Sequence, residues 1–410
     1  MSELVYPQPV KAKFFTPGMI IVTLIALNGI VFIALRLFYG LGAVTNLNDQ
    51  YPWGIWIGID VATGVVLAAG GFVSAAMGHI FHMPYMKPVV RPALLTAMLG
   101  YTFVAFAVMI DIGRWYYIWH PIIMWNGSSP LFEVGICVMI YLTVLYIEFV
   151  PILTERFRGK VNLPTVLSAF NSLVEWILKV LDNTVGKVMF LFIIAGVVLS
   201  TLHQSSLGTL MVISGYKLHP LWQTPILPLL FFISAVSTGI PMIIFESLIA
   251  SRSFKIEPEM NVLSKIAGYV PLLLGIYLAF KLGDMVIRQT FVYMTEINQY
   301  TIAFTIEMVI GVILPMILLM SRRVLKSPLW LFISSALVVL GVAINRINTF
   351  IVGYHPPYAK AAYFPSFGEI SVTLGCIALI VILYRAIVMI FPVISLPKQD
   401  DINDIKHYRG

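Results

Sequence analysis

Long apolar stretches separated by short polar ones set the layout of the chain. Ten stretches reach the roughly 20 apolar residues that a membrane helix needs. They lie at 15–39, 53–80, 92–115, 130–152, 187–211, 224–250, 264–285, 299–320, 328–351 and 367–392. Residues 165–182 follow a different period. Val166, Phe170, Leu173, Val174, Ile177, Val180 and Leu181 fall on one helical face, and Ser168, Asn171, Ser172, Glu175 and Lys179 on the other. That pattern predicts an amphipathic helix at a membrane surface, or one that binds a partner. The first run is longer than a signal-peptide core and lacks a small-residue cleavage site after it, so it reads as a retained span. The pattern predicts an all-α polytopic membrane protein forming a single transmembrane domain. The longest polar stretch, 153–186, is too short to fold alone.

Composition agrees. Apolar residues make up 59% of the 410 positions and charged residues 11%, against about 45–50% and about 25% in soluble domains. The 26 Lys and Arg are unevenly spread: 19 lie in the segments on the side of the termini and five on the other, with Arg36 and Arg346 inside spans. This bias predicts cytoplasmic termini in a bacterial inner membrane. The two cysteines, Cys137 and Cys376, lie in separate apolar runs and make no Cys-rich metal or iron–sulfur motif. Gly-rich phosphate loops and zinc or c-haem motifs are absent from the sequence.

Ionisable groups inside spans are costly and point to function. Asp60, Asp111, Glu133 and His203 come from four consecutive spans and all fall in the outer half, so the sequence predicts their convergence inside one bundle. Arg114 stands three residues after Asp111 and either joins that site or simply pairs with the acid. The same choice applies to Asp284 and Arg288. Glu148, Glu246 and Glu307 lie at other depths and would extend the site as proton-carrying positions; Arg36 and Glu148 can instead snorkel, and Glu307 can serve as an interhelical hydrogen-bonding acid. His203 is followed by Gln204, Ser205 and Ser206, a polar run that predicts a lined cavity. A b-type haem needs two facing histidines. His79 and His82 fall at the inner end of span two and His120, His219 and His355 in outer loops, so none pairs with His203. Gly54 and Gly58 predict close helix packing, and the aromatic outer loops predict an interfacial belt or a docking platform.

Several of these stretches resemble one family. Tyr51-Pro52-Trp53-Gly54 leading to Asp60, Arg91-Pro92-Ala93, Asp111-Ile112-Gly113-Arg114 and Leu131-Phe132-Glu133 resemble the NrfD/PsrC family of quinone-interacting membrane subunits. Thr201 to Gly208, Gly215 to Trp222 and Tyr363-Phe364-Pro365 are most similar to the HybB-type subunits of periplasmic nickel–iron hydrogenases. The resemblance covers essentially the whole chain. It implies ten helices arranged as two four-helix bundles flanked by the first and last spans. It also implies a menaquinone or ubiquinone pocket near the periplasmic face and a docked periplasmic ferredoxin-like iron–sulfur subunit, through which a hydrogenase or another catalytic subunit is reached. Members are often labelled cytochrome b yet generally carry no haem. Matching motifs make Asp60, Asp111, Arg114, Glu133 and His203 the quinone-site and proton-handling candidates. His203 is expected to bond a quinone carbonyl, with Asp60 as its proton donor. Sister subunits serve menaquinone reductases fed by multihaem cytochromes. A secondary transporter also uses ten spans and buried acids, but it favours Gly/Pro-broken helices near the midplane; here Pro241 and Pro315 are the internal prolines that interrupt the sixth and eighth spans.

Overall fold

The computed structural model describes residues 5–162, 168, 170–359 and 361–397. Ten helices among them are long and apolar enough to cross a membrane: α1 (Pro17–Tyr39), α2 (Trp56–Ile80), α3 (Pro84–Asp111), α4 (Pro130–Phe157), α5 (Asn171–Ile213), α6 (Leu227–Phe254), α7 (Met260–Ile287), α8 (Gln299–Leu319), α9 (Pro328–Val352) and α10 (Phe367–Ile390). The chain is an all-α polytopic membrane protein. Near its ends, strands β1 (Val5–Gln8) and β2 (Ile394–Pro397) pair antiparallel, so both ends of the described chain share one face. We call it the terminal face and its opposite the distal face.

Helices α2 to α5 close into one four-helix ring and α6 to α9 into a second, while α1 and α10 pack on each other beside α3. The rings meet along α2 and α6, whose apolar windows are 72% buried against 22% for α1. Small residues permit that approach. A Cβ at Gly239 would stand 2.5 Å from Val73 Cγ2, and one at Gly29 would stand 2.5 Å from Gly375 Cα in the α1–α10 pair. Isoleucines and leucines on α1, such as Ile21 and Leu24, are exposed, as lipid-facing side chains require.

Three expectations change. The predicted surface helix is not separate from the fifth span. From Asn171 the chain runs as one helix of 43 residues, about 64 Å long. Only Gly186 interrupts the helix formers between the two predicted pieces, and a lone glycine is tolerated. Val166 lies outside the described residues. Leu173, Trp176 and Ile177 are exposed, and Glu175 accepts a hydrogen bond from Gly159 N at 2.8 Å. Second, Arg36 does not snorkel. It is 1% exposed, and its guanidinium donates to the carbonyls of Ile110, Ile112 (2.5 Å) and Gly113 at the end of α3. These carbonyls lack helical partners and sit at the negative end of the helix dipole. Third, Lys281, one of the five cations counted on the side opposite the termini, is buried inside α7 and donates to Leu221 O at 2.8 Å.

Candidate functional site

The acids predicted to converge form two separate groups, because helix phase aims them in different directions. Asp60 sits in a π-helical first turn of α2, Trp56–Val61. Such wide turns redirect side chains and recur at functional sites. Its carboxylate accepts a 2.7 Å hydrogen bond from Thr373 of α10 and lies within electrostatic reach of Asp111. Asp111 in turn faces Arg36 and Glu369. Both aspartates are partly exposed at the distal end, where α2 and α3 meet α10. Glu369 is fully buried and saturated: it accepts from Asn46 N, Ser366 N and the Tyr363 hydroxyl, and closes a capping box with Ser366. Burial and the Glu369 carboxylate push the Tyr363 phenol well up. At Gly54 the small residue serves something other than the expected helix–helix packing: a Cβ there would overlap the hydroxyl of Tyr363, in the loop before α10. Arg114 is exposed on the distal loop, and no hydrogen bond or ion pair joins it to Asp111 among the described residues.

The second group lies inside the α2–α5 ring. Exposed Glu133 accepts a 2.6 Å hydrogen bond from Ser206. One turn deeper stands His203, fully buried, with its ring centroid 5.5 Å from that of Tyr101. Tyr101 meets Tyr141 edge-on at 4.4 Å, and Ser200 stands beside both hydroxyls. Glu148 follows, its carboxylate over Gly196, where a Cβ would come within 2.9 Å; it points into the ring rather than snorkelling outward. Glu133 and Glu148 are 15 residues apart on α4, about 22 Å. Gln204 donates to Val65 O at 2.9 Å. Three buried polar atoms here have no hydrogen-bond partner: His203 Nδ1 and Nε2, and Gln204 Oε1. Unpaired buried groups are costly, so their clustering marks a place built for water, protons or a ligand.

Glu307 and Glu246 join neither group. Glu307, in the α6–α9 ring, accepts from Trp222 Nε1 (2.9 Å), Asn345 Nδ2 (2.7 Å) and Asn348 Nδ2 (2.8 Å). Buried Arg346 stacks 3.5 Å over Phe231 and donates to Asn345 Oδ1 and Ser234 Oγ. A small cavity lined by Ser234, Ser237, Thr238, Tyr277, Glu307 and Asn345 adjoins this network. The expected reading of Glu307 as an interhelical hydrogen-bonding acid holds here, while its partners went unnamed, although Asn345, Arg346 and Asn348 form the same kind of polar run in an apolar span as His203 to Ser206. Asp284 and Arg288 do pair, at 2.7 Å, and Thr224 adds a hydrogen bond to Asp284. Glu246 of α6 stands beside Thr96 and Tyr384 near the terminal face. His79 and His82 lie at the terminal end of α2 and His219 stacks on Tyr300 in the distal loops, where burial lowers its pKa.

Residues 43–356 match the family model described as polysulphide reductase, NrfD. The chain belongs to the NrfD family. Similarity to individual proteins spans nearly the full length. A protein of Nitratidesulfovibrio vulgaris (strain Hildenborough) is 37% identical over 392 residues, 93% of this chain and 95% of its own. The probable Ni/Fe-hydrogenase 2 b-type cytochrome subunit of Escherichia coli K12 is 31% identical over 402 residues, 97% of each chain. The integral membrane subunit of menaquinone reductase from N. vulgaris is 26% identical over 383 residues, 85% of this chain and 84% of its own. Membership in the NrfD family thus places the chain among membrane subunits of oxidoreductase complexes.

Proposed function

We propose that the chain is the quinone-reactive membrane subunit of a bacterial respiratory oxidoreductase. In this reading it exchanges electrons between an iron–sulfur partner docked on the distal face and the menaquinone or ubiquinone pool. The observation that carries it is the Asp60–Asp111 pair, two half-buried aspartates at a distal helix junction beside Arg36 and Thr373, with Asp111 Oδ1 buried and unpaired. The cation bias supports a periplasmic distal face. Exposed Trp115, Trp119, Trp125 and Tyr216 supply a docking platform there. The names of the relatives favour a nickel–iron hydrogenase as catalytic partner, with a menaquinone reductase assembly as the second choice.

Quinone reduction consumes two electrons and two protons. The partner supplies the electrons, and this chain positions the headgroup and handles the protons. Asp60 and Asp111 are the groups that reach the headgroup, and Arg114 at the rim adds a positive field. His203 is fully enclosed, which moves it from the expected carbonyl contact to internal proton carriage. The series Glu133, Ser206, His203, Tyr101, Ser200, Tyr141, Glu148 spans most of the ring, and a neutral imidazole accepts at one nitrogen while donating at the other. Glu307, saturated by three donors, serves as an anchor of the second ring. The histidine placement does not fit a haem in this chain: among the described residues no second imidazole faces His203, whose ring meets Tyr101.

Replacing Asp111 by Asn tests the reading. Quinone-linked turnover of the purified complex should fall about 10²-fold, while dye-linked activity of the catalytic partner stays unchanged. Unaltered quinone-linked turnover refutes the assignment.

A further inference from the structure

On the terminal face α5 continues past its own span. Arg158, one residue beyond the end of α4 at Phe157, pairs with Asp182, and Gly159 N donates to Glu175. The apolar run of the span begins only at Lys187, so the helix from Asn171 to there projects on the terminal side by about 24 Å. Four apolar side chains stand exposed on that projection, three or four residues apart: Phe170, Leu173, Ile177 and Val180. Leu178 and Val185, on another side of the helix, are buried. A contiguous apolar stripe held out of lipid marks an interaction surface.

The spacing indicates what covers it. The alternation of three and four residues runs on through Thr184 and Lys187 into the span, where Leu191, Ile194 and Val198 keep the same phase and are exposed as well. From Phe170 to Val198 the repeat extends over 28 residues, four heptads. A 3.5-residue repeat sustained that long is the signature of a coiled-coil seam. No residue at the flanking e and g positions is charged, so like helices meet there without repulsion. Thr184 and Lys187 interrupt the seam at the edge of the span, where a lysine stem can reach the headgroups and a polar seam residue fixes the register. The seam passes from water into lipid without changing face, so its occupant is itself a helix that both spans and projects. The α5 helix of a second copy meets that requirement. Two copies inserted the same way hold their α5 helices parallel, and a two-fold axis along the membrane normal sets each seam residue against its own counterpart. The seven apolar seam residues, with Trp176 and Phe190 beside them, are 37% to 65% exposed. At about 90 Å² each they offer about 800 Å² per copy, the size of a standard stable interface.

We propose that two copies of the chain pair through α5, with Phe170, Leu173, Ile177 and Val180 zipped beyond the bilayer and Leu191, Ile194 and Val198 within it. The seam shares no residue with the Asp60–Asp111 junction or with the buried polar series around His203, so pairing and quinone turnover can be measured apart.

The test uses the full chain in native membranes, with one cysteine introduced at a time: Ile177→Cys and Val180→Cys on the seam, and Lys179→Cys, exposed but off it. The chain's own Cys137 and Cys376 are buried. Oxidation with copper phenanthroline should link each seam variant to a second copy at least about five times faster than Lys179→Cys, because a disulfide forms only where the Cα atoms approach within about 7 Å. Equal rates at all three positions, or no linked pair at the seam, would overturn the proposal, as would linkage to a different polypeptide. Ile177→Glu places two like charges in the seam. Native mass spectrometry of the purified complex should then show about half the parent mass, with quinone-linked turnover per chain retained; an unchanged mass also overturns the proposal.

Discussion

Substituting Glu307 by Leu separates a structural acid from a proton carrier. The carboxylate accepts three buried hydrogen bonds, from Trp222, Asn345 and Asn348. Leucine leaves all three donors unpaired. In soluble interiors such orphans cost about 1–3 kcal/mol each, about 3–9 in sum. Inside membranes each bond averages about 0.6 and reaches about 1.7 kcal/mol, because the unfolded chain finds other partners in the bilayer. The membrane scale applies here and gives about 2–5 kcal/mol for the three bonds, and losing the counter-charge to buried Arg346 and Lys281 puts the cost toward the upper end. Glu307→Gln keeps the shape but sets its own amide against one donor, so it should cost less, about 1–2 kcal/mol. Unfolding in mixed micelles under an SDS titration, followed by tryptophan fluorescence, reads both values, since Trp222 is one of the three donors. A Leu variant within about 0.5 kcal/mol of the parent would refute the anchoring role. Normal stability of the Gln variant with lost charge movement would return Glu307 to the proton path.

Further outcomes follow from the same geometry. Arg36→Met strips the donor from three carbonyls at the end of α3 and should lower stability by about 1–3 kcal/mol, read as a fall in detergent melting temperature. At Gly311 an alanine Cβ would meet the Gly341 backbone at 2.5 Å, so Gly311→Ala should cost about 1–3 kcal/mol, whereas Gly186→Ala in open surroundings should stabilise by about 0.5–1 kcal/mol. The neutral form of Glu259 is favoured in the folded chain, with its pKa raised from 4.5 to about 7; its contribution is present at acid pH and lost as pH climbs through 7, and Glu259→Gln should flatten that slope in pH-dependent melting. A reduced-minus-oxidised spectrum of the isolated chain should show no b-haem band, and a stoichiometric band would overturn the histidine argument.

The ten spans were readable because lipid demands about 20 unbroken apolar residues, a signal that survives without tertiary information. Side-chain direction was not. Asp60 and His203 share a depth in the sequence, but the π-helical turn at Trp56–Val61 and the helix phases aim Asp60 at Thr373 and His203 at Tyr101. Nothing in a single sequence announces a π turn. Arg36 could not be distinguished from a snorkelling residue without knowing that α3 ends beside it. Conversely, the Glu307 network lay within reach: Asn345, Arg346 and Asn348 interrupt an apolar span as plainly as His203 to Ser206 do.

The central claim is quinone exchange at the distal junction. Its most direct measurement is electron transfer between the reduced partner and a short-chain menaquinone, using the complex purified through this chain and its Asp60→Asn/Asp111→Asn double variant. The account expects rapid quinone reduction in the parent and a loss of at least about 10²-fold in the double variant, with assembly intact. Undiminished quinone reduction in the double variant, or none in the intact parent complex, would contradict it.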